Sequence, residues 1–225
     1  MHFKFLLYLT LFTILSGSFY GCQSENEGAS NNSTTSTSTS KNAQSRSGSK
    51  SGSGFKLLSS KQSGIKFANN LTEDVEQNYL NFEYIYNGGG VAVGDINNDG
   101  LPDVYFSGNE VPNKLYLNKG GLKFEDITDA AGVAADDGWY TGVSMVDINS
   151  DGWLDIYVCK SDWRKKGEYN RQNLLYINKK DGTFEEKAKA FGLAENGYSI
   201  QASFFDYDKD GDLDLYVTNL SLIHI

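Results

Sequence analysis

The stretch Val91-Ala92-Val93-Gly94-Asp95-Ile96-Asn97-Asn98-Asp99-Gly100-Leu101-Pro102-Asp103-Val104-Tyr105-Phe106 decides the fold. An apolar run enters an acidic loop, and a second apolar run containing a tyrosine leaves it. The pattern returns as Val143-Ser144-Met145-Val146-Asp147-Ile148-Asn149-Ser150-Asp151-Gly152-Trp153-Leu154-Asp155-Ile156-Tyr157-Val158. It returns again as Ala202-Ser203-Phe204-Phe205-Asp206-Tyr207-Asp208-Lys209-Asp210-Gly211-Asp212-Leu213-Asp214-Leu215-Tyr216-Val217. The loop starts are 52 residues apart (Asp95 to Asp147) and then 59 (Asp147 to Asp206).

A second element repeats beside the first. Asn113-Lys114-Leu115-Tyr116-Leu117-Asn118 matches Asn173-Leu174-Leu175-Tyr176-Ile177-Asn178, 60 residues on. Phe124-Glu125 then matches Phe184-Glu185, and Gly132-Val133 matches Gly192-Leu193. An insertion of about eight residues between Asp155 and Asn173 accounts for the uneven periods. Self-similarity at this length means a repeat architecture in which each unit leans on its neighbour. Each unit reads as four short antiparallel strands: one into the acidic loop, one out of it, the Leu-Tyr-Leu-Asn strand, and the Phe-Glu strand after a glycine turn. Four antiparallel strands per unit make a β-propeller blade, so the predicted fold is all-β.

The loop reads Asp-x-Asn/Asp-x-Asp-Gly-x-x-Asp. Oxygen-bearing side chains at positions 1, 3, 5 and 9 can converge on a hard cation. The glycine at position 6 permits the sharp turn, and the carbonyl of position 7 can add a ligand. The candidate ligands are Asp95, Asn97, Asp99, Leu101 and Asp103 in the first loop. They are Asp147, Asn149, Asp151, Trp153 and Asp155 in the second, and Asp206, Asp208, Asp210, Asp212 and Asp214 in the third. Without a cation the carboxylates would crowd and repel. An all-oxygen set in a flexible loop favours Ca²⁺, up to three ions, over Mg²⁺ or Zn²⁺. An EF-hand would carry Glu at position 12, but Phe106, Val158 and Val217 stand there, and the flanks are β-type rather than helical. The same flanks and the long period exclude a dockerin-like pair.

These units resemble the FG-GAP/VCBS repeats of integrin α-subunit propellers and of bacterial secreted proteins, specifically VCBS-repeat lipoproteins of the ASPIC/UnbV-containing type. Gly88-Gly89-Gly90-Val91-Ala92-Val93-Gly94-Asp95 and Asn113-Lys114-Leu115-Tyr116-Leu117-Asn118 carry the resemblance, which covers about residues 64–219. It implies a propeller of around seven blades with Ca²⁺ in the hairpin between the first two strands of a blade. It also implies a structural metal on one face and ligand binding by loops of the other. Two complete units and one half unit are present, and a closed propeller needs at least about four blades. The expectation is an incomplete propeller of about 2.5–3 blades, a fragment of a longer protein.

The amino-terminal end reads as an address. Lys4 precedes a mostly apolar run, Phe5 to Phe19, of about 15 residues, short of the roughly 20 of a membrane span. It ends Phe19-Tyr20-Gly21-Cys22, which resembles the lipobox of bacterial lipoproteins and implies cleavage before Cys22 and lipidation of its sulfur. Residues 23–54 are nearly all Ser, Thr, Asn, Gly, Gln and Lys, too polar to offset ordering entropy, so a disordered tether is expected. The repeat region then spans 55–225. The localisation that follows is the cell envelope, as an outer-membrane lipoprotein facing the periplasm or the surface, held to the membrane by its lipid.

Composition narrows the function. The 225 residues carry 20 Lys+Arg against 29 Asp+Glu, a net charge of −9, which argues against nucleic acid as a partner. Two cysteines make no disulfide framework and no cysteine zinc site, and Cys159 is expected to be a buried free thiol. The two histidines, His2 and His224, stand at the ends and leave no interior imidazole for a catalytic triad or an HExxH zinc site. The expected role is a binding, adhesion or scaffold module with a protein or glycan ligand and no catalytic residues. The alternative is a non-catalytic part of a larger secreted carbohydrate-active or other enzyme. Three further expectations are specific. Tyr105, Tyr157 and Tyr216 should pack between blades, the inserted Trp163-Arg164-Lys165-Lys166 should be a solvated loop, and Glu73-Asp74-Val75-Glu76 should be a solvated acidic turn.

Overall fold

Runs of β-branched and aromatic residues, each stopped by an Asp- and Gly-rich turn, form short strands because every unit has a turn signal within a few residues. The computed structural model describes residues 55–135, 138–164 and 171–220. The leader, Cys22 and the 23–54 tether lie outside the described residues. The first unit folds as β1 (Val91–Gly94), β2 (Asp103–Phe106), β3 (Lys114–Asn118) and β4 (Phe124–Asp126). The second folds as β5 (Tyr140–Val146), β6 (Asp155–Lys160), β7 (Leu174–Asn178) and β8 (Phe184–Glu186). Each is a four-stranded antiparallel sheet in sequence order, the blade expected from the repeat. The third unit is the pair β9 (Ser199–Phe205) and β10 (Asp214–Asn219). One-turn helices α1 (Ser60–Ser63), α2 (Thr128–Ala131) and α3 (Ala188–Phe191) complete the elements among the described residues.

The helices explain the repeated Gly132-Val133 and Gly192-Leu193. Each glycine ends its helix in the left-handed region, at φ 74° and 72°. That reversal points the next carbonyl inward. The Tyr105 hydroxyl donates to Val133 O at 2.8 Å, and the Tyr157 hydroxyl donates to Leu193 O at 2.9 Å. The repeated tyrosine and the repeated glycine are therefore two ends of one buried contact.

The sheets stack face to face. Ile156 and Val158 of β6 face the first sheet, in a core with Ala92, Tyr105, Leu115, Val133 and Tyr140. Tyr157 and Cys159 face the other way, in a core with Leu175, Leu193 and Ala202. Every residue of β6 is buried, so the middle blade alternates its side chains between two neighbours rather than between core and water. Cys159 is buried and free, as expected. Polar bonds pin the stack: Thr141 Oγ1 donates to Ser199 O at 2.6 Å, Ser144 Oγ to Ala202 O at 2.9 Å, and Asn178 Nδ2 to Ile96 O at 2.8 Å.

Two expectations are corrected. Tyr105 and Tyr157 are fully buried, but Tyr216 is 64% exposed. Its sheet has two strands, and no described segment stands where Val133 and Leu193 stand in the other units, so nothing covers the ring or accepts from the hydroxyl. The insertion also does not begin as a solvated loop. Trp163 stacks on Phe82 with ring centroids 4.7 Å apart, and Arg164 bonds both oxygens of Asp162 at 3.0 Å. Aromatic contact outweighs the local charge there. The acidic turn at 73–76 is as expected, with the Asp74 carboxylate accepting the N–H groups of Glu76 and Gln77.

Replacing Tyr105 or Tyr157 by Phe leaves a buried carbonyl unpaired and should cost about 1–2 kcal/mol each. Tyr216→Phe should stay within about 0.5 kcal/mol. Urea unfolding of the three variants checks this ranking.

Candidate metal centre

Each acidic loop is closed by a strand pair. Gly94 faces Asp103, Val146 faces Asp155, and Phe205 faces Asp214. Eight residues lie between the paired ends, too many for a tight hairpin. The chain coils by placing positions 4 and 6 in the left-handed region: Asn98 and Gly100 at φ 58° and 84°, Ser150 and Gly152 at 57° and 86°, Lys209 and Gly211 at 62° and 96°. A Cβ at position 6 would meet no neighbour, so the glycine answers the backbone angle and not crowding.

This coil turns the loop's own N–H groups inward, and the acidic side chains accept them. Asp95 takes the N–H of Asp99 at 3.1 Å and of Gly100 at 2.7 Å. Asp147 takes those of Asp151 at 2.9 Å and Gly152 at 2.8 Å. Asn97 and Asn149 accept from the same Asp99 and Asp151 N–H groups. Asp99 accepts from Leu101 at 2.8 Å, and Asp151 accepts from Trp153 at 3.0 Å. In the third loop Gly211 donates to Asp206 at 3.2 Å and Asp212 to Asp210 at 3.1 Å. A nest of amides thus draws positions 1, 3 and 5 together in the first two turns, and holds positions 1 and 5 in the third.

Position 9 behaves differently from what its spacing suggests. Asp103 is fully buried; its Oδ2 accepts from Ile96 N at 3.0 Å and its Oδ1 from Asn118 N at 2.7 Å. Asp155 repeats this with Ile148 at 3.2 Å and Asn178 at 2.8 Å. This carboxylate ties the start of the loop to the end of the third strand. Burial raises both groups, and the neighbouring loop carboxylates add to it; Asp155 is pushed up to about 6. Asp214 keeps only the first of these bonds, from Tyr207 N at 2.7 Å, and is part-exposed.

The residues fit a hard cation. In the third loop one carboxylate oxygen from each of Asp206, Asp208 and Asp210 lies within 4.8 Å of the other two. A hydrogen bond between Asp210 and Asp212 holds Asp212 above its ordinary range and Asp210 below it. Like charges this close relieve one another by sharing a proton or by binding a cation. The first two loops carry Asn at position 3, so they gather fewer charges there and one side-chain oxygen in place of two. In the second, Lys180 Nζ stands 3.3 Å from Asp151 Oδ2. The first two loops touch through Asn98 Nδ2, which donates to Gly152 O at 3.0 Å.

Two repeated asparagines had a role that their spacing did not disclose. Asn118 and Asn178 donate to the carbonyls of Pro102 and Leu154 at the loop exits, at 2.9 and 3.1 Å. They accept from Gly120 and Lys180 in the next turn, both at 2.9 Å. Their recurrence at the end of the Leu-Tyr-Leu-Asn strand was the signal.

The chain belongs to the FG-GAP-like repeat family, whose family model matches residues 95–158 and 167–217. These repeats are β-propeller blades. Among known proteins, the chain is 29% identical to cartilage acidic protein 1 of Xenopus tropicalis over 144 residues, 60% of this chain and 20% of that protein. It is 28% identical to the Homo sapiens protein of the same name over 142 residues. It is 30% identical to integrin alpha-6 of Gallus gallus over 122 residues, 52% of this chain and 11% of that protein. The chain therefore spans about a fifth or less of the length of these relatives.

If position 9 is a strut as well as a donor, Asp155→Ala should destabilise the protein by about 2–4 kcal/mol even in EDTA, because two backbone N–H groups lose their acceptor. Asp99→Ala, at an exposed position, should change stability in EDTA by no more than about 0.5 kcal/mol. Urea titrations in EDTA separate the two.

Proposed function

We propose that this protein is a calcium-stabilised binding module, held at the cell envelope by a lipid on Cys22. The observation that carries the calcium reading is the acidic loop itself. Three loops of one backbone geometry, in a repeat family member, carry oxygen donors at positions 1, 3 and 5 beside a nest of amides. Asp95, Asn97, Asp99, the carbonyl of Leu101 and Asp103 would hold one ion, with the matching residues of the other loops holding two more. The ion would supply the charge that the crowded carboxylates lack. It would add no reaction step.

The likeness to an integrin subunit supports binding or adhesion as the role of the repeats. No catalytic step is assigned to the chain, whose two histidines are at its ends. No described helix is long and apolar enough to cross a membrane, so the membrane attachment proposed here rests on Cys22 and its preceding apolar run. The polar stretch 23–54 would set the blades at a distance from the bilayer.

Extracellular calcium modules hold their ions at about 0.1–1 mM. At about 10 mM CaCl₂ each occupied loop should then add about 1.4–2.7 kcal/mol of stability relative to EDTA. The melting temperature should rise accordingly, and joint replacement of Asp99, Asp151 and Asp210 by Ala should remove most of the rise. An unchanged melting temperature would falsify the calcium reading. For the anchor, the cell-derived protein should partition into detergent on Triton X-114 phase separation, and Cys22→Ser should move it to the aqueous phase.

A further inference from the structure

Opposite the acidic loops, at the entry ends of the inner strands, the three units converge on a cavity of about 310 Å³. The ends come this close because position 142 is a glycine: a Cβ there would lie 2.0 Å from Gln201 Oε1 and 2.4 Å from Ile200 O. Three aromatic rings, Phe82, Tyr84 and Trp139, form part of the wall. Among the described residues, no carboxylate, ammonium or guanidinium lines it, although the chain carries a net charge of −9.

One wall residue has an unmet need. Ser161 is 1% exposed, lines the cavity, and its hydroxyl has no hydrogen-bond partner among the described residues. A buried polar atom left alone costs free energy and calls for an explanation. The neighbouring Thr141 hydroxyl is spent on Ser199 O. At the mouth, Gln201 is exposed and gives one N–H to Ala202 O, which leaves its carboxamide a second N–H and an acceptor oxygen.

These features select a ligand. An ionised group would be desolvated here without a counter-charge. A purely apolar ligand would leave Ser161 as it is. A neutral molecule with apolar faces and a rim of hydroxyl groups satisfies both walls. The volume lies at the small end of the ~300–1,000 Å³ of small-molecule sites, which suits one or two rings better than a folded partner. We infer that this cavity is a binding site for a neutral saccharide, seated against the rings of Phe82, Tyr84 and Trp139 and hydrogen-bonded by Ser161 and Gln201. The inference deepens the binding-module reading and rests on it.

The test titrates the full-length chain by calorimetry, in CaCl₂ and again in EDTA. The probes are glucose, galactose, N-acetylglucosamine and their β-linked dimers, with glucuronic acid, sialic acid and a neutral tetrapeptide for comparison. At least one neutral sugar should bind, more tightly than the acidic sugars and the peptide. Ser161→Ala and Gln201→Ala should each weaken it about ten-fold, the worth of one hydrogen bond. Ser161→Ala removes an unpaired hydroxyl and Gln201 is exposed, so both variants should keep the melting temperature and its response to calcium. Binding by no neutral sugar, preference for an acidic sugar or the peptide, or unchanged affinity in both variants would overturn the assignment. Loss of sugar binding with the calcium response intact sinks only this inference. Absence of a calcium response sinks the earlier reading, and the EDTA titration still reports on the cavity.

Discussion

The structure depends on one buried carboxylate in each complete blade. Asp103 and Asp155 lie at full burial and give each oxygen to a backbone N–H, one at the start of the acidic loop and one at the end of the third strand. Such a group is costly to bury, and burial holds it above the usual carboxylate range. Two bonds to backbone offset part of that cost. A cation beside the loop would offset more, because it acts on the same group and on the carboxylates that repel it. The loop is thus both a crowding of like charges and the joint between the blade's first three strands.

The rest follows from stacking. A blade this thin cannot bury both faces alone, so each shares a core with its neighbour. β6 shows the result, with Ile156 and Val158 turned to one side and Tyr157 and Cys159 to the other. Stacking also puts the acidic loops side by side at one end of the strands and brings the glycine-rich strand starts together at the other. The acidic loops and the cavity are thus separated by the length of a short strand.

Much of this was legible in the sequence because the signals repeat. The strand order, the blade and the loop positions follow from three copies of one pattern, and the expected all-β class holds. What a pattern cannot show is where a side chain spends its second bond. Asp103 and Asp155 read as ligands by spacing, and their role as struts depends on Asn118 and Asn178, which arrive 15 and 23 residues later. Tyr216 matches Tyr105 and Tyr157 by position yet stays exposed, because burial belongs to the neighbouring segment and not to the residue. Trp163 sits in a charged insertion, and its contact with Phe82, eighty-one residues earlier, has no local mark. The one-turn helices α2 and α3 were marked only by their closing glycines.

The most direct test of the account is an anomalous-difference map from crystals grown in calcium and recorded at long wavelength. The account expects a peak inside the 95–103, 147–155 and 206–214 turns, each within bonding distance of the oxygens at positions 1, 3 and 5. Well-ordered turns without such density, or density bound elsewhere and contacting none of these carboxylates, would contradict it.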